Sequence, residues 1–123
     1  MSQNFENLET WKKAMALCLL CYELTKKFPP EEKYSLGDQT RRAGVSVPSN
    51  IAEGYSRKSS KEVCHFVSIA IGSIYEIMTQ ISIAHSLGYV TTEEKEKVFE
   101  LANQVIRLCG GFIKYKKGNH DKL

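Results

Sequence analysis

Residues 60–87, SKEVCHFVSIAIGSIYEIMTQISIAHSL, decide the fold of this chain. Apolar side chains recur in this stretch at alternating steps of three and four residues, which is the period of one face of an α-helix. Isoleucine also occurs elsewhere around the same predicted helix, at Ile69, Ile71 and Ile83. A helix that is apolar on more than one face indicates burial in a bundle and contact with a further subunit.

The same stretch is long enough to cross a bilayer, because Glu76 is the only Asp, Glu, Lys or Arg between Val63 and Thr92. A charged side chain at the centre of a membrane helix costs about 2.5–3.5 kcal/mol on the insertion scale. The stretch also contains His65, Gln80 and several serines. We therefore expect the core helix of a bundle and no membrane partner.

The first helix is predicted from about residue 7 to residue 27 and carries two neighbouring apolar seams. One seam comprises Leu8, Trp11, Met15, Cys18 and Tyr22, and the other comprises Ala14, Leu17, Cys21, Leu24 and Phe28. Pro29 and Pro30 end this helix, because proline lacks the amide proton and disfavours helix in the residue before it.

The second helix is predicted from about residue 31 to residue 53 and is the least regular. Its apolar positions are Tyr34, Leu36, Ala43, Val47 and Ile51. Pro48 lies inside it, so a kink or break is expected between Gly44 and Pro48. Gly54 is a residue that can take left-handed dihedrals after the helix ends.

Two capping boxes mark the starts of the last two helices. Ser59 with Glu62, and Thr91 with Glu94, have the spacing at which side chain and backbone cap each other. The last two helices are therefore predicted at about residues 60–87 and 92–116. Four helices with short connections predict an all-α, antiparallel up-down-up-down four-helix bundle, with residues 1–123 as a single domain.

Composition bounds the function only loosely. The chain has 123 residues and a net charge of +3, a mild excess that permits an anionic partner without indicating a dedicated nucleic-acid binder. It has four cysteines and no basic, apolar signal sequence at its start. Reduced thiols and a cytoplasmic location are expected.

An ordered set of residues resembles a known family over nearly the whole chain. The set is Phe28-Pro29, Glu32, Tyr34, Leu36, Gln39, Arg41-Arg42-Ala43, Ser46, Asn50-Ile51-Ala52-Glu53-Gly54, Ala70, Gly72-Ser73 and Glu76. It is similar to the bacterial four-helix-bundle proteins encoded in intervening sequences of 23S ribosomal RNA genes. The resemblance implies a ring-shaped homopentamer with an RNA-linked role. The similar accessory variability proteins of diversity-generating retroelements are pentamers that bind nucleic acid and a reverse transcriptase.

No catalytic, metal or cofactor site is predicted. Cys18 and Cys21 have zinc or redox spacing, but both fall on the apolar arc of the first helix, and the chain offers no second ligand pair at finger spacing. Glu62 and His65 match half of a di-iron carboxylate motif, whose second copy is missing. No serine or cysteine has a recognisable base partner. We expect a protein that is not an enzyme and has no cofactor.

A polar set on the second helix is interpreted as structural. It comprises Gln39, Arg42, Asn50 and Glu53. Buried polar groups must be paired, so these side chains are expected to form a hydrogen-bonded network that fixes helix register. Asp38 lies three and four residues before Arg41 and Arg42, which suits intrahelical ion pairs.

A basic set is the candidate nucleic-acid-binding site. It comprises Arg57, Lys58, Lys61, Lys114, Lys116 and Lys117. In an up-down bundle the end of the second helix, the start of the third and the end of the fourth lie at the same end, so these cations are expected to share a surface. Tyr55 and Tyr115 could stack on bases there. The alternative is that lysines at a helix C-terminus only favour the dipole and solubility.

The sequence therefore predicts a non-enzymatic homo-oligomeric bundle that binds RNA or a nucleoprotein complex. The alternative is an interaction scaffold for another protein without nucleic-acid contact. A contiguous basic surface favours the first interpretation, and an exposed apolar groove favours the second.

Overall fold

A computed structural model describes residues 4–121, and the side chains of residues 5–118. Its four α-helices are α1 (Glu9–Thr25), α2 (Leu36–Ser56), α3 (Ser60–Ser86) and α4 (Thr92–Asp121), with short 3-10 helices at Asn4–Asn7 and Pro30–Glu32. Each helix packs against the next, and α1 also packs against α4. The described part of the chain contains no strand. The predicted antiparallel four-helix bundle is confirmed.

The core is formed by one seam from each helix. On α3 the fully buried apolar residues are Val63, Val67, Ala70, Ile74, Ile77, Ile81 and Ala84. On α1 the second predicted seam faces the core, with Ala14, Leu17 and Cys21 fully buried. The first seam lies at its edge, where Trp11 is partly buried and Tyr22 is exposed.

The limits of α2 differ from the prediction at both ends. It begins at Leu36, because Pro30–Glu32 forms a separate 3-10 turn. Tyr34, predicted to be an apolar position of this helix, precedes it and is 84% exposed. The helix continues through Pro48 and Gly54 to Ser56, so the predicted break and the predicted end near residue 53 are both wrong.

Close packing explains why Gly54 is glycine within a continuous helix. A Cβ added there would lie 3.4 Å from the Phe66 Cβ and from a Val67 methyl on α3. Left-handed dihedrals are therefore not its role. Among the residues described, only Gly88 has a positive φ, at 81°, directly after α3.

Gly44 serves the opposite side of α2. A Cβ at this position would lie 3.3 Å from the Cys21 Cβ and 3.6 Å from the Cys18 Cα on α1. The absence of a side chain therefore lets the two backbones approach closely. α2 thus packs against one neighbour through Gly44 and against the other through Gly54.

Both predicted capping boxes are present. The Thr91 backbone N–H donates to the Glu94 carboxylate at 2.8 Å, and the Glu94 N–H donates to the Thr91 hydroxyl at 3.1 Å. The Glu62 N–H donates to the Ser59 hydroxyl at 3.1 Å. These bonds fix the starts of α3 and α4 close to the predicted positions, whereas α4 ends five residues later than predicted, at Asp121 instead of about 116.

α3 is long and apolar enough to cross a membrane by length and composition alone. This is weak evidence for a span, since the core helix of a soluble protein passes the same test. Here one face of α3 packs against α2 and α4.

The connections at the end of the bundle opposite the chain's start are joined by polar bonds. The Tyr89 hydroxyl donates to the Glu32 carboxylate at 2.9 Å, and the Tyr89 ring packs against Phe28 with centroids 5.5 Å apart. Lys27 at the end of α1 pairs with Glu94 at the start of α4. The Lys27 hydrogen bond, followed by the Thr91 N–H, lowers the pKa of Glu94.

Substitution of Gly44 tests the close approach of α1 and α2. Gly44→Leu should lower the free energy of unfolding by about 1–3 kcal/mol, because the added side chain overpacks the contact with Cys21. The matched control is Gly110→Leu, at an α4 glycine with open space around it. It should raise stability by roughly 0.5–1 kcal/mol through helix propensity. Urea unfolding at fixed protein concentration measures both, and equal midpoints for the two variants would contradict the close contact.

The lowered pKa of Glu94 predicts a pH-dependent contribution to stability. Because the pKa of Glu94 is lower in the folded state, its stabilising effect is present above the ordinary value of 4.5 and is lost as the pH falls through the lowered value. Glu94→Gln keeps an amide oxygen for the cap but removes the charge, so it should be less stable than wild type at pH 7 and approach wild type in acid. Glu93→Gln, in the same helical turn, is the control. Thermal unfolding as a function of pH tests this, and a pH-independent difference between wild type and Glu94→Gln would refute it.

Candidate nucleic-acid interface

One end of the bundle is made by the C-terminal parts of α2 and α4 and the start of α3. We call this surface the lysine end and define it by Lys58, Lys61, Lys114, Lys116 and Lys117. The rings of Tyr55 on α2 and Phe112 on α4 are stacked, with centroids 6.2 Å apart. The Lys116 Nζ lies 5.2 Å from the centroid of the Tyr55 ring. These contacts join the ends of α2 and α4, as the antiparallel order predicts.

Four cations of the lysine end are in water. Lys58, Lys61, Lys114 and Lys117 are all exposed. None of the five lysines forms an ion pair with any residue that the structure describes. Their positive charge is therefore not neutralised by a carboxylate within that part of the chain.

Arg57, predicted with these lysines, is held by contacts inside the chain. Its guanidinium donates to the Glu53 carboxylate at 2.7 Å and lies 3.7 Å from a Glu62 carboxylate oxygen. It also lies over the Phe66 ring, 4.7 Å from the centroid. These contacts bind the end of α2 to the start of α3. They also direct the two nearest carboxylates, Glu53 and Glu62, towards Arg57 and not towards the lysines.

An aromatic groove adjoins the lysine end. It has a volume of about 400 Å³ and is lined by Leu8, Thr10, Tyr55, Phe112, Tyr115 and Lys116. Tyr115 is 65% exposed, whereas Phe112 is buried. The sequence indicated Tyr55 and Tyr115, but it did not indicate that Phe112 and the start of α1 complete the groove. Those residues are ordinary members of apolar seams, so only the packing of α1 against α4 reveals them.

The predicted polar set is divided into separate groups. Asn50 donates to the Ser46 carbonyl at 2.8 Å, and the Ser73 hydroxyl donates to the Ser46 hydroxyl at 2.8 Å. This chain of bonds links α2 to α3. Arg42 pairs with Asp38 at 2.9 Å on the solvent side.

The other members of the set do not join this network among the residues described. Glu53 pairs with Arg57, and the exposed Gln39 lines a groove between α2 and α3. Arg41 does not pair with Asp38. Its guanidinium donates instead to the Lys33 carbonyl at 2.8 Å.

The cysteines behave as core residues. Cys18, Cys21 and Cys109 are buried, as predicted for the first two. Burial, with a smaller effect of Cys18, raises the pKa of the Cys21 thiol to about 12, and burial raises that of Cys109 to about 12. Both thiols are therefore protonated at neutral pH and are poor nucleophiles and ligands. Over the described residues, no group of three His, Cys, Asp or Glu side chains could hold a metal ion.

Comparison with known proteins places this fold and sequence in one family. A family model described as 23S rRNA-intervening sequence protein matches residues 6–111. The chain belongs to this family. A search of curated proteins finds no match. A crystal structure of a protein of unknown function from the S23 ribosomal protein family of Bacteroides thetaiotaomicron is similar, with a TM-score of 0.77 and 22% identity. The match covers 85% of this chain and 95% of that one, and it establishes the shared fold alone.

Proposed function

We propose that this member of the 23S rRNA-intervening sequence protein family is a non-enzymatic, self-associating bundle that binds RNA or an RNA-containing complex through the lysine end. The observation that carries the proposal is a group of five lysines without carboxylate partners in the described chain, beside an aromatic groove. The family's name refers to 23S rRNA, which agrees with an RNA ligand.

Electrostatics supports a phosphate ligand at this end. The net charge of the whole chain is only +3, so a general attraction to nucleic acid is weak. The local charge matters more, because Glu53 and Glu62 are engaged by Arg57. Lysines that neutralise phosphates release bound counterions, so binding should weaken steeply as salt rises.

The aromatic groove supports single-stranded segments over duplex. Tyr115 presents an exposed ring, and Tyr55 is held by Phe112 on one side and Lys116 nearby. Bases without a pairing partner can stack on such rings, whereas bases in a duplex cannot. Stacking beside lysines combines base contact with phosphate contact in one place.

The outer face of α3 supports self-association. Opposite its core seam, α3 exposes Ile69 (40%), Tyr75 (56%) and Ile83 (45%), and Glu76 is the only charged residue from Val63 to Ser86. Such a face favours a protein partner over water. A second copy of the chain is the partner that we propose, and the family resemblance implies five copies.

A ring requires two unlike faces on each subunit, because each copy contacts its two neighbours through different surfaces. The α3 face can supply one of them. Leu19, which is 60% exposed on α1, marks a candidate for the other. Copies joined through their sides would leave the lysine ends together at one rim, where several weak phosphate contacts act jointly.

The alternative function is a scaffold for a different protein, in which the α3 face binds a partner helix and the lysines only keep the protein soluble. The apolar side chains on that face favour this alternative as well. RNA binding separates the two functions, because only the first requires it.

Neutralising the lysine end should weaken RNA binding. The test is fluorescence anisotropy with single-stranded RNA, structured RNA and duplex DNA at low and physiological salt. The double variant Lys114→Gln/Lys117→Gln should bind single-stranded RNA less tightly, with a salt dependence reduced by about 0.7 in log–log slope for each phosphate that the variant no longer neutralises. Lys95→Gln/Lys97→Gln removes the same charge from the other end of α4 and should bind like wild type.

Failure of wild type to bind RNA at low salt, in an assembly of the expected mass, would exclude the nucleic-acid mechanism and favour the scaffold. Equal weakening by both lysine pairs would show that only net charge matters, which also contradicts a defined site.

Charging the α3 face should dissociate the assembly. Ile69→Lys and Ile83→Lys should each lower the mass measured by light scattering towards the 13.9 kDa of one chain, because a lysine in an apolar interface loses its hydration. Ala16→Lys adds the same charge at an exposed position on α1 and should leave the mass unchanged. A wild-type mass of one chain would refute self-association, and unchanged masses for both isoleucine variants would refute the α3 interface.

A further inference from the structure

A second groove lies at the end of the bundle opposite the lysine end, between α1, the connection that follows it and α2. Its volume is about 400 Å³. This is within the range of roughly 300–1,000 Å³ that is usual for pockets that hold small ligands. α3 spans the bundle with 27 residues, so the two ends are roughly 40 Å apart. The groove is therefore a separate site and does not depend on the lysine end.

The groove is lined by cations from three parts of the fold. Lys26 comes from the residue that caps α1, Lys33 from the connection and Arg41 from α2. No carboxylate of a described residue lines it. Lys26 and Lys33 form no ion pair within the described part of the chain. Cations brought together without carboxylates indicate an anionic ligand.

Nearby acidic residues are directed elsewhere. Glu32 accepts hydrogen bonds from Ser35 at 2.7 Å and from Tyr89 at 2.9 Å. Arg41 is positioned by its bond to the Lys33 carbonyl. Since a guanidinium has five N–H donors, that one bond fixes Arg41 beside the groove and leaves donors for a ligand.

The walls of the groove are flat and apolar. Tyr22 is 40% exposed at its rim, and Pro29 and Pro30 form part of its lining. Phe28 below them is buried and packed against Tyr89, so the wall is held in place from inside. A planar base can stack on such a wall, since base–aromatic stacking requires only an accessible face.

We propose that this groove binds a nucleotide, with the base against Tyr22 and the prolines and the phosphate near Lys26, Lys33 and Arg41. Flat apolar walls accommodate the base, and the three cations attract the phosphate. A free mononucleotide and an unpaired nucleotide within an RNA strand share this chemistry. The experiment below distinguishes these two sources.

The test is isothermal titration calorimetry of the full chain with adenosine monophosphate, inorganic phosphate and a 5′-phosphorylated oligoadenylate. Adenosine monophosphate should bind more tightly than phosphate. Tyr22→Leu should weaken it about tenfold by removing the stacking surface. Lys26→Gln/Lys33→Gln should weaken it by a similar factor and reduce its salt dependence. Circular dichroism and light scattering of each variant verify that fold and mass are unchanged.

Matched controls lie at the lysine end. Tyr115→Leu removes another exposed tyrosine, and Lys114→Gln/Lys117→Gln removes two other lysines; neither should change the affinity for adenosine monophosphate. Retention of nucleotide binding by the Lys114→Gln/Lys117→Gln variant also separates this proposal from the one made for the lysine end.

The outcomes divide cleanly. Binding of the mononucleotide that both groove variants weaken supports a free nucleotide as ligand. Binding of the oligoadenylate alone, weakened by the same variants, supports a nucleotide within a strand. Phosphate binding as tightly as the mononucleotide, or affinities unaffected by Tyr22→Leu, would overturn the proposal. So would the absence of any binding at millimolar ligand.

Discussion

The structure depends on the close approach of α2 to both of its neighbours. Gly44 brings its backbone against Cys18 and Cys21 of α1, and Gly54 brings it against Phe66 and Val67 of α3. Small residues are what permit such short helix–helix distances, because a Cβ at either position would meet atoms already in contact. The remaining two pairs of helices pack through larger side chains and have no comparable requirement. The position of α2 therefore fixes where its two ends project.

Both candidate sites follow from that placement. At one end, α2 carries Tyr55 to the stacked contact with Phe112 and Arg57 to Glu62 and Phe66, which organises the surface around the lysines. At the other end, the same helix carries Arg41 to the carbonyl of Lys33, beside the groove. The Ser46–Ser73 bond lies between the two ends and links α2 to α3.

Sequence reasoning succeeded where the controlling interactions are local. The capping boxes were predictable because each joins residues three positions apart, and the core face of α3 was predictable because its seam is continuous. The two seams of α1 could not be ranked, since which one faces the core depends on where α2 and α4 lie. Gly54 was misread because glycine suits both a helix end and a close contact, and only the position of α3 decides between them.

The candidate sites show the same division. The shared end of the lysines follows from chain order alone, whereas the partners of Arg57 depend on how α3 enters the bundle. Sequence reasoning missed the second groove entirely, because Tyr22, Lys33 and Arg41 belong to different elements and match no motif. Their common feature is the absence of a carboxylate among the groove's described lining residues, which is a property of three-dimensional arrangement.

The distribution of charge around the bundle gives the two ends and the sides different roles. The outer face of α3 carries a single carboxylate, so contact with another copy through the sides desolvates little charge. Lysines that remain hydrated would oppose such contact, and they are concentrated at an end. A side-by-side assembly therefore leaves both ends open to solvent. Each end then presents cations beside aromatic or proline surfaces, one as a broad lysine surface and the other as a groove of about 400 Å³. An assembly built through its sides can bind ligands at both ends without weakening the contacts that hold it together.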